Sequence, residues 1–266
     1  MSIFAIADLH LSLSVDKPMD VFGSGWQNYV ERLEKHWRSK ISTEDTVLIP
    51  GDISWGLSMD EALADLQFVD DLPGQKILSK GNHDLWWGTN KKVEDFLAAH
   101  GMTSMRLLKN NGFFIEGTLI AGTRGWLLPE NPESKEADEK IYLREVGRLE
   151  RSLADSVKAW EAAGAGAAGA AWETDAEAAD GSCGGSAFGA EAGAAPRKVV
   201  MLHYPPIYDP ERSNGFTETL EKYGVDLCLY GHLHGRGHQK AFEGVRNGVE
   251  YRLIAADYLQ FDPIQL

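Results

Sequence analysis

The chain has 266 residues, 43% of them hydrophobic and 25% charged, and a net charge of −14. The length suffices for a sizeable α/β core, and the composition is that of a folded globular protein rather than a disordered or fibrous one. So acidic a body argues against anionic membrane surfaces and against a long nucleic-acid track, which needs several Lys/Arg contacts to phosphates.

The first apolar run, Ile3–Ala7, has no basic segment before it and is too short for a signal peptide or a membrane span. Only Cys183 and Cys228 are present, with no CxxC, so the chain reads as a reduced, cytoplasmic protein. Ile3–Ala7 reads as a buried strand ending at Asp8, and the design recurs. Thr46–Pro50 precedes Gly51-Asp52, and Lys76–Ser79 precedes Gly81-Asn82-His83-Asp84. Lys198–Leu202 precedes His203, and Asp226–Tyr230 precedes Gly231-His232. Between them, Trp26, Val30, Leu33 and Trp37 predict an amphipathic helix. Met59, Ala62, Leu63 and Leu66 predict a second, with Ser58 as N-cap and Glu61 at the capping-box position. Val93, Phe96 and Leu97 suggest a third.

Phe113–Gly122 reads as a hairpin around Glu116-Gly117, and Glu250–Ala255 as a further strand. Residues 135–161 form a long helical segment whose apolar stripe runs through Tyr142, Val146, Leu149, Leu153, Val157 and Trp160. Residues 162–196 are Ala/Gly-rich and poor in large apolar side chains, and are expected to be a flexible insertion. Alternating strands and helices define an α/β fold with ligands beyond the carboxyl ends of the strands. Residues 1–266 are read as one domain.

The residues at the run ends share one chemistry. Asp8-Leu9-His10 places two donors at i and i+2, on one face if the strand continues. His232 and His234 repeat that spacing, while Asp52, Asn82 and His203 stand alone at their ends. Imidazole with carboxylate suits Mn, Fe, Zn and similar ions, and argues against calcium or a sulfur-ligated site. Arg124 and Trp126, in Gly122-Thr123-Arg124-Gly125-Trp126, are candidate substrate contacts. Trp55, Trp86, Trp87 and Trp126 read as core or rim packing, or as an aromatic platform. His36, His100, Lys80 and the acidic stretch Glu130–Glu139 read as solvated, and His238, after Gly235-Arg236-Gly237, as a solvated loop residue with lining of the site as the alternative.

Asp8-x-His10, Gly51-Asp52, Gly81-Asn82-His83-Asp84, His203 and Gly231-His232-x-His234 resemble, in order, the signature of the calcineurin-like metallophosphoesterases. The resemblance implies a two-sheet sandwich flanked by helices. It implies two divalent metal ions, Mn, Fe, Zn, Ni or Co: one on Asp8, His10 and His234, the other on Asn82, His203 and His232, with Asp52 bridging. His83 would face the substrate as general acid. The reaction implied is hydrolysis of a small phosphomonoester or phosphodiester by a metal-bridged hydroxide. A non-catalytic scaffold and a nuclease of the same family are the alternatives. One departure stands out. Trp55-Gly56 occupies the place where the protein-phosphatase branch has an Asp-Arg pair, its aspartate orienting the catalytic histidine, so a protein substrate is disfavoured and the partner of His83 is left open.

Overall fold

The computed structural model describes residues 1–131, 133–165 and 195–266. Two mixed sheets lie face to face with helices on both outer sides, as the alternating pattern predicts. The first sheet contains β1 (Ile3–Ala5), β2 (Thr46–Pro50), β3 (Gln75–Ser79) and β4 (Met105–Leu107), all parallel. The short β11 (Ile264–Gln265) closes its β1 edge in the antiparallel sense. The second sheet has β6 (Thr118–Thr123), β7 (Arg197–Leu202), β8 (Leu227–Tyr230) and β10 (Val249–Leu253) in parallel. Its antiparallel edges are β5 (Phe113–Ile115) and β9 (Gly244–Arg246).

β1, β2, β6 and β8 are buried along their whole length and largely apolar because they are covered on both faces, while the edge strands β5 and β9 and the alternating β10 are only partly covered. Along β1, Ile3, Ala5 and Ala7 turn inward and meet Leu48, Ile77, Val199, Met201, Leu227 and Leu229 between the sheets. Phe4 and Ile6 turn outward, with Val47, Ile49 and Leu78. They pack under α1 (Tyr29–Lys40), α2 (Met59–Asp71) and α3 (Asn90–Ala99). On the other side Val200, Leu202, Tyr230 and Tyr251 lie under α4 (Glu136–Ala165) and α5 (Gly215–Lys222).

Several expectations change in detail. Ser58 caps α2 as predicted, and the Glu116-Gly117 turn has left-handed φ values of 50° and 71°, which a tight hairpin requires. The first helix starts at Tyr29 rather than Trp26, because Asn28 at φ 48° breaks the run; Trp26 sits in a separate single turn. Helix α4 buries Tyr142, Leu149 and Leu153, but Trp160 is 38% exposed, so the apolar stripe outruns the sheet beneath it. The first residues of the expected 162–196 insertion, 162–165, continue α4; residues 166–194 lie outside the described residues. Among the described residues, no helix is long and apolar enough to cross a membrane.

Candidate metal centre

Strand order brings the predicted donors together. β1, β2 and β3 are neighbours in one sheet, and β7 and β8 in the other. Their carboxyl ends therefore deliver Asp8 and His10, Asp52, Asn82 and His83, His203, and His232 and His234 to one end of the sandwich. Backbone bonds lace these loops: Asp8 N donates to Gly51 O, His10 N to Asp52 O, and Gly231 N to His203 O.

The i, i+2 expectation holds for a different reason than strand alternation. β1 ends at Ala5, and Asp8 and His10 take left-handed φ values of 60° and 47°. Asp52 and His232 do the same at 52° and 71°. Such backbone is costly for residues with a Cβ and concentrates at functional sites. Two glycines make room. A Cβ on Gly81 would fall 2.1 Å from Asp52 Oδ1, and one on Gly231 would fall 2.1 Å from Asp8 Oδ2.

The side-chain donors converge on two places. His10 Nε2 and His234 Nε2 lie 3.1 Å apart, with Asp8 Oδ1 3.7 Å from the latter. Asn82 Oδ1 lies 2.7 Å from His203 Nε2 and 2.9 Å from His232 Nδ1. Asp52 Oδ2 stands between the groups, 3.7 Å from His10 Nε2 and 3.4 Å from His203 Nε2. That oxygen is buried and has no hydrogen-bond partner, and nor has His10 Nδ1. A buried, unpartnered carboxylate oxygen facing two imidazoles is an acceptor waiting for a cation. The donor set therefore fits divalent ions.

The electrostatics agree. Burial pushes Asp8 well above the ordinary carboxylate range and Asp52 up to about 6. Burial also drives His10 well down, His203 to about 3 and His232 to about 2, so these imidazoles are neutral with lone pairs free for a metal. His234 is the exception. Burial lowers it, but its hydrogen bond to Asp257 and the Asp8 charge outweigh that and raise it to about 9.

His83 is half-buried and its backbone N donates to Asp52 Oδ1 at 2.7 Å. Its ring packs against Trp55, centroids 4.4 Å apart, and edge-on to His10. Burial lowers its pKa. The open question about its partner is thus answered by packing: among the described residues no carboxylate hydrogen-bonds this ring. Asp84 does other work. Fully buried, it accepts from the backbone N of Asp52, Ile53 and Gly81 at 2.8 Å, from Ser54 N at 3.3 Å and from Trp86 Nε1 at 3.1 Å. It joins the Asp52 loop to the Asn82 loop.

Two further residues join the site, of which Asp257 was missed in the sequence and His238 was read as solvated or as lining the site. Asp257 Oδ1 accepts from His234 Nδ1 at 2.8 Å and its Oδ2 from Gly235 N at 3.0 Å. His238 takes the alternative of lining the site rather than a solvated loop: it lies half-buried with Nε2 3.1 Å from Asp257 Oδ2. Asp257 follows a strand end like the other donors, which was the available signal. Trp26 also joins the site, edge-on to His10 and tilted against His234, while Trp86 and Trp87 are core. Arg124 is half-buried, lies over Trp126 at 4.2 Å and holds the backbone N of His203 through its carbonyl. The Trp126 indole donates to Asp138 on α4. His100 is exposed as expected; His36 is half-buried against Phe261 O, and Lys80 donates to Trp87 O.

A two-sheet α/β sandwich with a buried histidine–carboxylate cluster at its strand ends defines a protein of the metal-binding class. The model of one family, calcineurin-like phosphoesterase, matches residues 1–236, and the chain belongs to that family. Metal-dependent phosphoester hydrolysis is the chemistry that membership carries. Among curated proteins, the chain is 39% identical over 70 residues to the Gene 66 protein of Mycobacterium phage L5, a match spanning 26% of the chain and 33% of the phage protein. Among solved structures, it resembles a phosphopantetheinyl hydrolase of Mycobacterium tuberculosis at 15% identity and TM-score 0.49, covering 100% of this chain and 95% of that one. A protein of unknown function from Aquifex aeolicus resembles it at 14% identity and TM-score 0.45, covering 99% and 95%.

Proposed function

We propose that the protein hydrolyses a small phosphomonoester or phosphodiester at a pair of divalent metal ions. Asp8, His10 and His234 would hold one ion, Asn82, His203 and His232 the other, and Asp52 both. The observation that supports this best is the unpartnered Asp52 oxygen between two separate groups of histidines. When bound, such ions neutralise phosphate charge and acidify water. The rest falls to the chain's own residues. Trp55 and His10 fix the His83 ring beside the cluster without tying up its nitrogens. A phosphate dianion beside His83 raises its pKa against the lowering effect of burial, so the imidazole takes up a proton as substrate binds and gives it to the leaving oxygen. A cavity of about 650 Å³ opens from His232 and is walled by Leu127, Tyr208, Leu233 and Phe242; it suits a small organic leaving group better than a protein chain.

The test is hydrolysis of p-nitrophenyl phosphate and bis-p-nitrophenyl phosphate with Mn²⁺ and after chelation. Activity on either that chelation abolishes is the expected result; none on either would leave a non-catalytic scaffold. His83→Ala should keep its metal and lose turnover by a factor on the order of 10²–10⁴. Wild-type turnover in that variant would remove His83 from the reaction.

A further inference from the structure

At the strand ends that carry the metal donors lies a second cavity, of about 200 Å³, with an unusual wall for so acidic a chain. Lys80, Lys109, Arg124 and Arg148 line it, against a single carboxylate, Glu145. It is built from strand ends on the same side as the metal donors: Lys80 follows β3 two residues before Asn82, Thr123 ends β6, and Arg124 carries the carbonyl that holds His203 N. Glu145 is fully buried and accounts for its own charge: Thr123 Oγ1 donates to it, Arg148 Nη1 donates to it, and Arg124 Nη2 lies 3.8 Å away. Among the described residues, neither guanidinium makes a further side-chain hydrogen bond, and neither Lys80 nor Lys109 has an ion-pair partner. The carboxylate thus holds Arg148 by a hydrogen bond and Arg124, which also lies over Trp126, by charge; the donors they do not use there, with the ammonium groups of Lys80, which gives one hydrogen bond to Trp87 O, and Lys109, surround a space large enough for a phosphate.

We propose that this cavity is a subsite for a second anionic group, a phosphate, on a substrate whose scissile phosphate sits at the metal centre. The inference rests on the phosphoesterase reading and adds the substrate class: a compound with two phosphate groups. The cavity at His232 has the opposite character, with Glu130 and Glu133 against Lys240, so the second phosphate is directed to the β3–β6 side and the neutral part of the molecule to the other.

The experiment uses the Mn²⁺-loaded protein and a set of alkanediol bisphosphates of increasing chain length, each beside its monophosphate, as inhibitors of p-nitrophenyl phosphate hydrolysis. One chain length should inhibit about tenfold or more better than its monophosphate, the scale of one charge-assisted contact or more. Lys109→Ala and Arg148→Gln should each shrink that ratio to within about threefold, on the same principle. Lys109 is exposed, so its variant tests the subsite even if Arg148→Gln loses its hold on buried Glu145 and misfolds. Titration calorimetry with the same ligands reads the subsite independently of turnover. A bisphosphate advantage by calorimetry without hydrolysis would break the catalytic reading and keep the subsite. Equal affinity for mono- and bisphosphates at every length, or an advantage that survives both substitutions, would overturn the subsite.

Discussion

Asp84→Asn isolates the residue that ties the ligand loops together. One carboxylate oxygen of Asp84 accepts from Asp52 N and Gly81 N, the other from Ile53 N, Ser54 N and Trp86 Nε1. All five partners are donors. Burial and the neighbouring Asp52 charge raise its pKa to about 6 against the pull of these donors, so it is ionised at pH 7.5. An asparagine of the same shape has one acceptor and one donor end. Whichever way the amide turns, its NH₂ faces at least two buried N–H groups. Leaving two donors unpaired costs roughly 1–3 kcal/mol each, so about 2–6 kcal/mol is expected. For a chain of this size a loss near 3 kcal/mol lowers Tm by about 6–12 °C.

The measurement is thermal and urea unfolding of both proteins at pH 7.5 in excess EDTA, so that bound metal adds nothing to stability. Metal content is read separately after reloading, and should fall because Asp52 and Asn82 lose their common anchor. A variant within about 0.5 kcal/mol of wild type, the range of an ordinary surface change, would refute the stapling role.

Three further outcomes follow from the same geometry. Asp257→Ala removes the acceptor that fixes His234 and should weaken metal binding by about 10–100-fold, read by competition with a chromogenic chelator; unchanged affinity would deny Asp257 that part. Gly231→Ala puts a methyl on the Asp8 carboxylate and should lower metal content while costing about 1–3 kcal/mol of stability; full loading would show that Asp8 can move. Lys76 is fully buried, donating to Asp70 O, Leu72 O and Ser104 Oγ, and burial lowers its pKa to about 8. The unfolded chain therefore holds this proton to higher pH, and Lys76 contributes a stability gain as pH rises from 8 towards its ordinary value. The stability of wild type relative to Lys76→Met should rise across that window, and a flat difference would contradict the shift.

Much of this could be read from the residues. The central strands, β1, β2 and β8 above all, were legible because both faces are covered, which writes an apolar run that stops at a polar donor. The donor loops were legible because each follows such a run. What the pattern could not carry was left-handed backbone: Asp8 and His10 reach one point through φ values that no spacing rule encodes. Trp26 fits helical spacing, yet Asn28 turns the chain and sends that ring to the metal centre instead. Helix α5 is only eight residues long and was missed, although the Asn214/Thr217 capping box was there to read. Strands β4, β9 and β11 have two or three residues each, too few for a period. Asp257 and His238 lie beyond the matched 1–236 segment, and only folding brings them to His234.

The Trp55 substitution gains a physical meaning from its surroundings. An aspartate beside a histidine holds a proton on the ring before substrate arrives. Trp55 offers no charge. It stacks on His10 at 4.9 Å and 23°, packs against His83, and has Lys17 Nζ 4.4 Å from its ring centroid. Burial disfavours a cationic His83 and the Asp52 charge favours it; His234 and Lys17 add to the lowering, and the net shift is downward. On the proposed reading, the substrate's own negative charge would add to that of Asp52 in raising the proton affinity of His83. A dianionic phosphomonoester would raise His83 more than a monoanionic diester, and a second phosphate among Lys80, Lys109, Arg124 and Arg148 would add binding without competing for the metal donors. On the proposed function and subsite, a His83 ring without a hydrogen-bonded carboxylate and a cationic cavity would favour the same kind of substrate: a small, highly charged phosphomonoester.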